Sequence, residues 1–255
     1  MPSASQRFSD TALAYAATMA PSLRPIAAEV VRRARLGAGE RVLDLGTGTG
    51  IAAAAARGEG RVVIGVDAAP GMLAIARAEV PGVSFAEMDF AGLSYADASF
   101  DVVIAAHALL FAEDQAATLR EWLRVTRPGG RLSLSVPGPV AVTPSAIYAQ
   151  IYDRHGIDTA GRYPTLETLA ATAAVAGWTE IETAEDPTTA IVLADASAFR
   201  TWRAIGARGS ATADFTPEEH RALTDEMLAA TPRTADGMFR IPFGAIYLVA
   251  RRPGE

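Results

Sequence analysis

The 255-residue chain contains no cysteine, no lysine and no asparagine. Without cysteine there is no disulfide, no thiolate nucleophile and no zinc–cysteine site. Without lysine no Schiff base can form, and a mechanism that needs an asparagine carboxamide has no residue to use. No apolar run approaches the roughly 20 residues of a membrane span. The Ala-rich stretch from Thr11 to Ala20 carries a weak signal-peptide pattern that Asp10 interrupts; it reads better as an amphipathic entry helix, so a cytoplasmic chain is expected. With a formal net charge of −6 there is no basic footprint for a nucleic-acid backbone. The local cluster Arg32, Arg33 and Arg35 reads as the solvated face of a helix end.

What is present is apolar. Half of the residues are hydrophobic and a fifth charged, enough to bury one sizeable core with elaborations. Strand-like segments (41–45, 61–67, 83–89, 101–107 and 131–136) alternate with helical ones (50–57, 70–80 and 112–126). Strict alternation of this kind predicts βαβ units, a parallel sheet and helices on both of its faces. Pro128-Gly129-Gly130 stops the helix before them and permits a tight return into the next strand. A further helix is expected from Thr165, which can cap it, to Ala176, then a strand at 178–185 and a final strand at 245–252. The stretches 138–164 and 190–243 break the alternation, the second with helical signals at 196–203 and 216–230. Thr216-Pro217-Glu218-Glu219 supplies a cap, a proline suited to a first helical position and two acids at the positive helix end. Both stretches are expected to build over the rim of the sheet, where ligands of α/β folds bind.

Residues 42–50, VLDLGTGTG, end a strand in a glycine loop that feeds a helix, so backbone can approach a ligand closely with N–H groups available. Gly46, Gly48 and Gly50 miss the dinucleotide fingerprint G-x-G-x-x-G, whose third glycine would fall on Ile51. Asp44, Asp67 and Asp89 lie in or at the ends of three successive strands, which delivers three carboxylates to one sheet edge. An acid after the second strand suits two ribose hydroxyls. Asp89 could accept from an exocyclic amine between Met88 and Phe90, and Asp44 could face an ammonium or a water.

The blocks 41–50 RVLDLGTGTG, 65–77 GVDAAPGMLAIAR, 86–90 AEMDF, 97–111 DASFDVVIAAHALLF and 119–131 LREWLRVTRPGGR resemble the successive motifs of class I S-adenosylmethionine-dependent methyltransferases. The likeness runs from Arg41 to Val136 and is similar in flavour to the small-molecule branch of ubiquinone and menaquinone biosynthesis. It implies a Rossmann-like, doubly wound, seven-stranded and mostly parallel sheet with an antiparallel last strand. It also implies N-terminal helices over the cofactor (1–40), a methyltransferase domain (41–255) and a helical cap from the insertions at 138–164 and 190–243. On this reading S-adenosylmethionine is the cofactor and S-adenosylhomocysteine the product. Gly46, Thr47, Gly48 and Gly50 wrap the methionyl part with Asp44, and Asp67 and Ala68 take the ribose. Met72, Met88, Asp89 and Phe90 hold the adenine. The cofactor has no pyrophosphate, which accounts for the missing glycine at position 51.

The expected activity is in-line methyl transfer to O, N or C of a small molecule, in quinone or secondary metabolism of a bacterium, by a monomer or homodimer. His107, after the fourth strand, is the candidate base or substrate contact, and Tyr15, on the N-terminal helix, the candidate for closing over the cofactor. The tyrosines and His155 of the first irregular stretch, with Phe199, Trp202, Phe239 and Phe243 of the second, suit either a cap core or an acceptor pocket. Related DNA and protein amide enzymes carry an Asn/Asp-Pro-Pro-Tyr loop where this chain has AAHALLF, cytosine C5 enzymes need a cysteine, and metal-dependent catechol enzymes need an asparagine. A catalytically silent cofactor-binding module, acting as a sensor or assembly partner, shares the motifs; a dehydrogenase is the remaining alternative, disfavoured by the glycine spacing.

Overall fold

The computed structural model describes residues 3–158, 163–207, 212 and 214–254. Its strands are β1 (Arg41–Leu45), β2 (Val62–Asp67), β3 (Ser84–Glu87), β4 (Phe100–Ala106), β5 (Thr126–Val136), β6 (Thr179–Asp186), β7 (Ala190–Leu193), β8 (Phe239–Pro242) and β9 (Ala245–Arg251). Before the sheet come α1 (Ala4–Asp10), α2 (Ala12–Thr18) and α3 (Ala20–Ala34). Within its alternation lie α4 (Ile51–Ala56), α5 (Pro70–Glu79) and α6 (Gln115–Val125). After β5 follow α7 (Pro144–Ile147), α8 (Ala149–Arg154) and α9 (Leu166–Val175), and after β7 α10 (Ala196–Ala207) and α11 (Pro217–Ala230).

Seven strands form one sheet in the order β3-β2-β1-β4-β5-β9-β6. All neighbours are parallel except β9, which runs antiparallel to both β5 and β6. This is the seven-stranded, mostly parallel architecture that the alternation and the resemblance imply. The central strands are apolar on both faces because both faces are covered. Leu43, Leu45, Val103 and Leu132 meet Leu119, Trp122 and Leu169 from α6 and α9. Val42, Val102 and Ile104 meet Ala27, Val30, Ala52, Ala53 and Ala56 from α3 and α4. Small alanines there let the helices approach closely. Trp122 and Trp178 are fully buried without an orphaned donor, since their indole N–H groups donate to Phe90 O at 2.9 Å and Leu119 O at 3.0 Å.

Local chemistry sets the helix ends. Thr216 Oγ1 accepts from Glu219 N while the Glu219 carboxylate accepts from Thr216 N, and Thr165 and Thr168 cap each other in the same way. Arg32 and Arg33 close α3 on Glu29, so that cluster is a helix end tied to its own acid.

Three features differ from the sequence expectation. β5 begins at Thr126, ahead of the Pro128-Gly129-Gly130 turn, because Thr126 already pairs with Phe100 before a register shift restores pairing at Arg131 with Val102. The helix expected from Thr11 to Ala20 ends at Thr18, and α3 begins at Ala20. The stretch 190–243 contributes two strands, β7 and β8, that pair antiparallel apart from the main sheet. Together with the helices of 138–164 they close a separate core around Tyr148, Ile151, Phe199, Leu223, Met227 and Phe239. Residues 159–162, 208–211 and 213 of these stretches lie outside the described residues. Tyr148 OH donates to Thr231 Oγ1 at 2.6 Å, which joins the two stretches directly. Met19 and Phe243 pack against both this core and the sheet.

Candidate active site

Strand order reverses at β1, which pairs with β2 on one side and β4 on the other. The loops leaving β1 and β4 therefore diverge and open a crevice at their carboxyl ends. A small cavity of about 30 Å³ lies there, walled by Tyr15, Leu23, Ile26, Asp44, Gly46, Thr47, Gly48, Thr49, Ile51, Ala52, Ala106 and His107. The glycine loop, the entry helices α2 and α3 and the end of β4 thus meet at one point.

The loop is shaped by left-handed turns at Gly46 (φ +63°) and Gly48 (φ +54°). A Cβ on Gly46 would stand 2.6 Å from that of Ala108, so the loop passes too close to the β4 exit for any side chain. A Cβ on Gly48 would meet nothing within 4 Å and would project into open space. Three of the loop's N–H groups are already committed: Thr47 N donates to Val66 O at 2.9 Å, Gly48 N to Asp67 Oδ2 at 2.8 Å and Gly50 N to Thr47 O at 2.8 Å. The expectation of free N–H donors is corrected at these positions. What the loop offers is carboxylate, the complement of a cation and not of a phosphate.

Asp44 is 1 % exposed. Thr47 Oγ1 donates to its Oδ2 at 2.6 Å, and its Oδ1 is buried without a partner. Burial pushes its pKa up to about 7, against the opposing Thr47 hydrogen bond. Asp67 is partly buried and takes Gly48 N on one oxygen and Ala69 N on the other, at 2.8 and 2.9 Å. Burial again raises its pKa, and these backbone donors oppose the shift. The Tyr15 phenol is held above its ordinary pKa first by burial and then by the Asp67 carboxylate, so it keeps its proton.

His107 leaves β4 with φ +57°, a conformation uncommon outside glycine, and is 9 % exposed. Its Nδ1 lies 2.9 Å from Ser135 Oγ on β5, its Nε2 is buried without a partner, and burial pulls its pKa down to about 4. Its ring tilts against Phe243 at 5.4 Å between centroids, where the cap meets the sheet. Thr49, not singled out from the sequence, is buried with an unpartnered Oγ1 on the same wall. Its place inside GTGTG was the available signal. For Ser135 there was none.

Of the residues expected from the sequence, Tyr15, Asp44, Gly46, Thr47, Gly48 and His107 share this wall, and Asp67 reaches it through Gly48. Gly50 (φ +83°) starts α4 against Ala76, Val80 and Phe85. Ala68 lies between Asp67 and α5. Met72 is buried with Ala12 and Ala69 beneath α1 and α2. Met88 and Phe90 pack on the main core, Phe90 also near Gly46. Asp89 is exposed and accepts from Ala91 N at 2.9 Å. None of these six positions lines the cavity. Among the described residues no group of three or more His, Asp or Glu could hold a metal, and no helix is long and apolar enough to cross a membrane.

Comparison with known proteins bears on the same region. Residues 43–134 match a family model described as a methyltransferase domain. Trans-aconitate 2-methyltransferase of Methylobacterium nodulans is 31% identical over 250 residues, covering 89% of this chain and 92% of that protein. Demethylmenaquinone methyltransferase of Beutenbergia cavernae is 41% identical over 106 residues, 40% of this chain and 44% of its own length. A solved structure of a putative methyltransferase from Bacillus halodurans superposes with a TM-score of 0.61 at 20% identity, over 89% of this chain and 98% of that one, a likeness of fold. Because the likeness to the Methylobacterium nodulans protein runs nearly the length of both chains, the chain belongs to the class I S-adenosylmethionine-dependent methyltransferases and is an enzyme that uses S-adenosylmethionine.

Proposed function

We propose that the cavity at the β1–β4 crevice holds the methionyl end of S-adenosylmethionine and that the chain methylates a small-molecule acceptor approaching from beneath the cap. The observation that carries this is the set of unpartnered buried polar atoms carried by residues that line the cavity, Asp44 Oδ1, Thr49 Oγ1 and His107 Nε2. An acceptor, a hydroxyl and a ring nitrogen left unpaired inside a protein cost free energy unless a ligand satisfies them. An amino-acid zwitterion on a sulfonium fits that set. The Asp44 carboxylate takes the ammonium, and the open face of Gly48 leaves room for the chain. Asp67, whose oxygens keep spare lone pairs beside the Gly48 and Ala69 N–H groups, takes the ribose hydroxyls. Met72, Met88, Asp89 and Phe90 border the adenine beyond it, with Ala68 and Gly50 shaping the backbone there.

When bound, S-adenosylmethionine supplies an electrophilic methyl: an acceptor lone pair forms the new bond to carbon while the C–S bonding pair returns to sulfur, leaving S-adenosylhomocysteine. The protein's part is to hold the acceptor in line and keep water out, which orientation and a closed site provide. Tyr15 and the α1–α2 segment close the entrance, and Phe243 brings the cap to the same place. The near full-length relative is named for trans-aconitate, which makes a carboxylate-bearing small molecule the first acceptor to try.

Calorimetric titration with S-adenosylhomocysteine, with NADH as control and Asp67→Ala alongside, tests the cofactor site. Binding of the thioether that is lost in Asp67→Ala and absent for NADH is expected. No binding to the wild type would remove the site from this crevice.

A further inference from the structure

The polar atoms around His107 fix where its proton sits. Ser135, fully buried on β5, faces the end of β4 in register with Ala106. The His107 backbone N–H points at Ser135 O at 3.0 Å and at Ser135 Oγ at 3.2 Å, and His107 Nδ1 lies 2.9 Å from the same Oγ. A hydroxyl has one proton to give and two lone pairs. If Nδ1 carried the ring proton, Ser135 Oγ would receive two N–H donors, and its own proton, buried in the sheet, would have no acceptor. If Nδ1 is the acceptor instead, the hydroxyl donates to it, the backbone N–H is satisfied, and the ring proton sits on Nε2. Only the second arrangement leaves no unsatisfied group at Ser135. It leaves an N–H donor, not a lone pair, on the buried and unpartnered Nε2 of a residue that lines the cavity.

The other polar atoms there are complementary. The titratable groups on the wall are Tyr15 from α2, Asp44 from β1 and His107 itself, with Thr49 from the glycine loop between them. Asp44 Oδ1 can only accept when ionised, Thr49 can do either, and Tyr15 keeps its proton.

We propose that His107, locked as its Nε2–H tautomer by Ser135, is a hydrogen-bond donor to a carboxylate oxygen entering the cavity and not the base of the reaction; this rests on the reading of the crevice as the methyl-transfer site. Ser135 is the positioning residue. A carboxylate is also the acceptor that asks least of such a site, because its oxygen already has a free lone pair and releases no proton on methylation. The carboxylate that meets His107 belongs either to the amino-acid end of the cofactor or to the acceptor.

The test starts from the wild-type protein labelled with ¹⁵N-histidine, in which the ring nitrogens report the tautomer directly. His107 is expected to carry its proton on Nε2 at pH 7, with and without S-adenosylhomocysteine, and Ser135→Ala to lose that preference while remaining folded. The two sources are then separated by calorimetry on wild type, His107→Ala and His107→Gln, the glutamine keeping an N–H near the Nε2 position. An S-adenosylhomocysteine affinity about tenfold weaker in His107→Ala and restored in His107→Gln assigns the cofactor carboxylate. Unchanged S-adenosylhomocysteine affinity, with trans-aconitate binding to the loaded protein lost in His107→Ala and restored in His107→Gln, assigns the acceptor. A ring proton on Nδ1, an unaltered tautomer in Ser135→Ala, or no response of either ligand to either His107 variant would overturn the proposal. The spectrum is readable without ligand, so failure of S-adenosylhomocysteine to bind would refute the cofactor site separately.

Discussion

Replacing Asp44 with asparagine should make the ligand-free protein more stable and the loaded protein weaker, and the pH at which this happens follows from burial. Asp44 is 1 % exposed, and Thr47 satisfies only one of its oxygens. Its pKa rises from an ordinary 3.8 to about 7. At 1.36 kcal/mol per unit this favours the neutral form by about 4 kcal/mol. The folded pKa is the raised one, so between about 4 and 7 the folded state holds a proton that the unfolded chain has released. Stability is therefore lost as pH rises through that window, and the full penalty stands above it. Asparagine keeps an oxygen for Thr47 and carries no charge, but its amide N–H also needs a partner, so the net gain at pH 8 should be about 2–3 kcal/mol. Urea denaturation of both proteins without ligand at pH 5 and pH 8 reads this as a midpoint difference that is small at the lower pH and favours Asp44→Asn at the higher. S-adenosylhomocysteine should bind Asp44→Asn at least about tenfold more weakly, and its affinity for the wild type should fall roughly tenfold per unit below about pH 7. A variant no more stable than wild type at pH 8, or an affinity flat with pH, would refute the argument that Asp44 is held buried and waiting for a cation.

Four further outcomes are expected. Gly48→Ala should cost about 1 kcal/mol, the price of a left-handed turn for alanine, yet weaken S-adenosylhomocysteine binding by more than this because the methyl projects into the open face of the loop; denaturation and calorimetry separate the two. Trp122→Ala should lose about 3–5 kcal/mol in a denaturation midpoint, since a fully buried indole and its bond to Phe90 O both go. His107, with a folded pKa near 4 against 6.5, resists a proton that the unfolded chain accepts, so wild-type stability should fall by about 3 kcal/mol from this group as pH drops through that window; His107→Gln should flatten the acid limb of the stability profile. Tyr15→Phe should leave stability and S-adenosylhomocysteine affinity within about threefold of wild type, because the phenol keeps its proton and makes no hydrogen bond that binding depends on.

Much of this architecture was legible because it is local. Hydrophobic period, proline and glycine placement and caps such as Thr165 and Thr216 act over a few residues, and alternation of those elements leaves a parallel sheet with covered faces as the economical solution. The glycine loop and the carboxylates Asp44 and Asp67 could be placed at one sheet edge on the same ground. Three properties of the site could not. The N–H of Gly48 is taken by Asp67, 19 positions on, so a donor expected to be free for a ligand is satisfied within the chain. The His107 ring meets Ser135, 28 positions on, a contact on which the donor role proposed for it rests. The two irregular stretches share a core and pair Tyr148 with Thr231 across 83 positions, which buries Tyr148, Phe199 and Phe239 in that core while Phe243 also reaches His107.

The sequence by itself determined the strand and helix alternation of the main sheet, the family and the sheet edge to which Asp44 and Asp67 are delivered, since these follow from periodicity, turn chemistry and motif spacing along the chain. The tertiary structure alone decided the burial of Asp44, the contact of the His107 ring with Ser135 and the shared core of the two irregular stretches. Those depend on which distant groups are brought within hydrogen-bonding reach and on how completely water is excluded around them, and neither is written in local sequence.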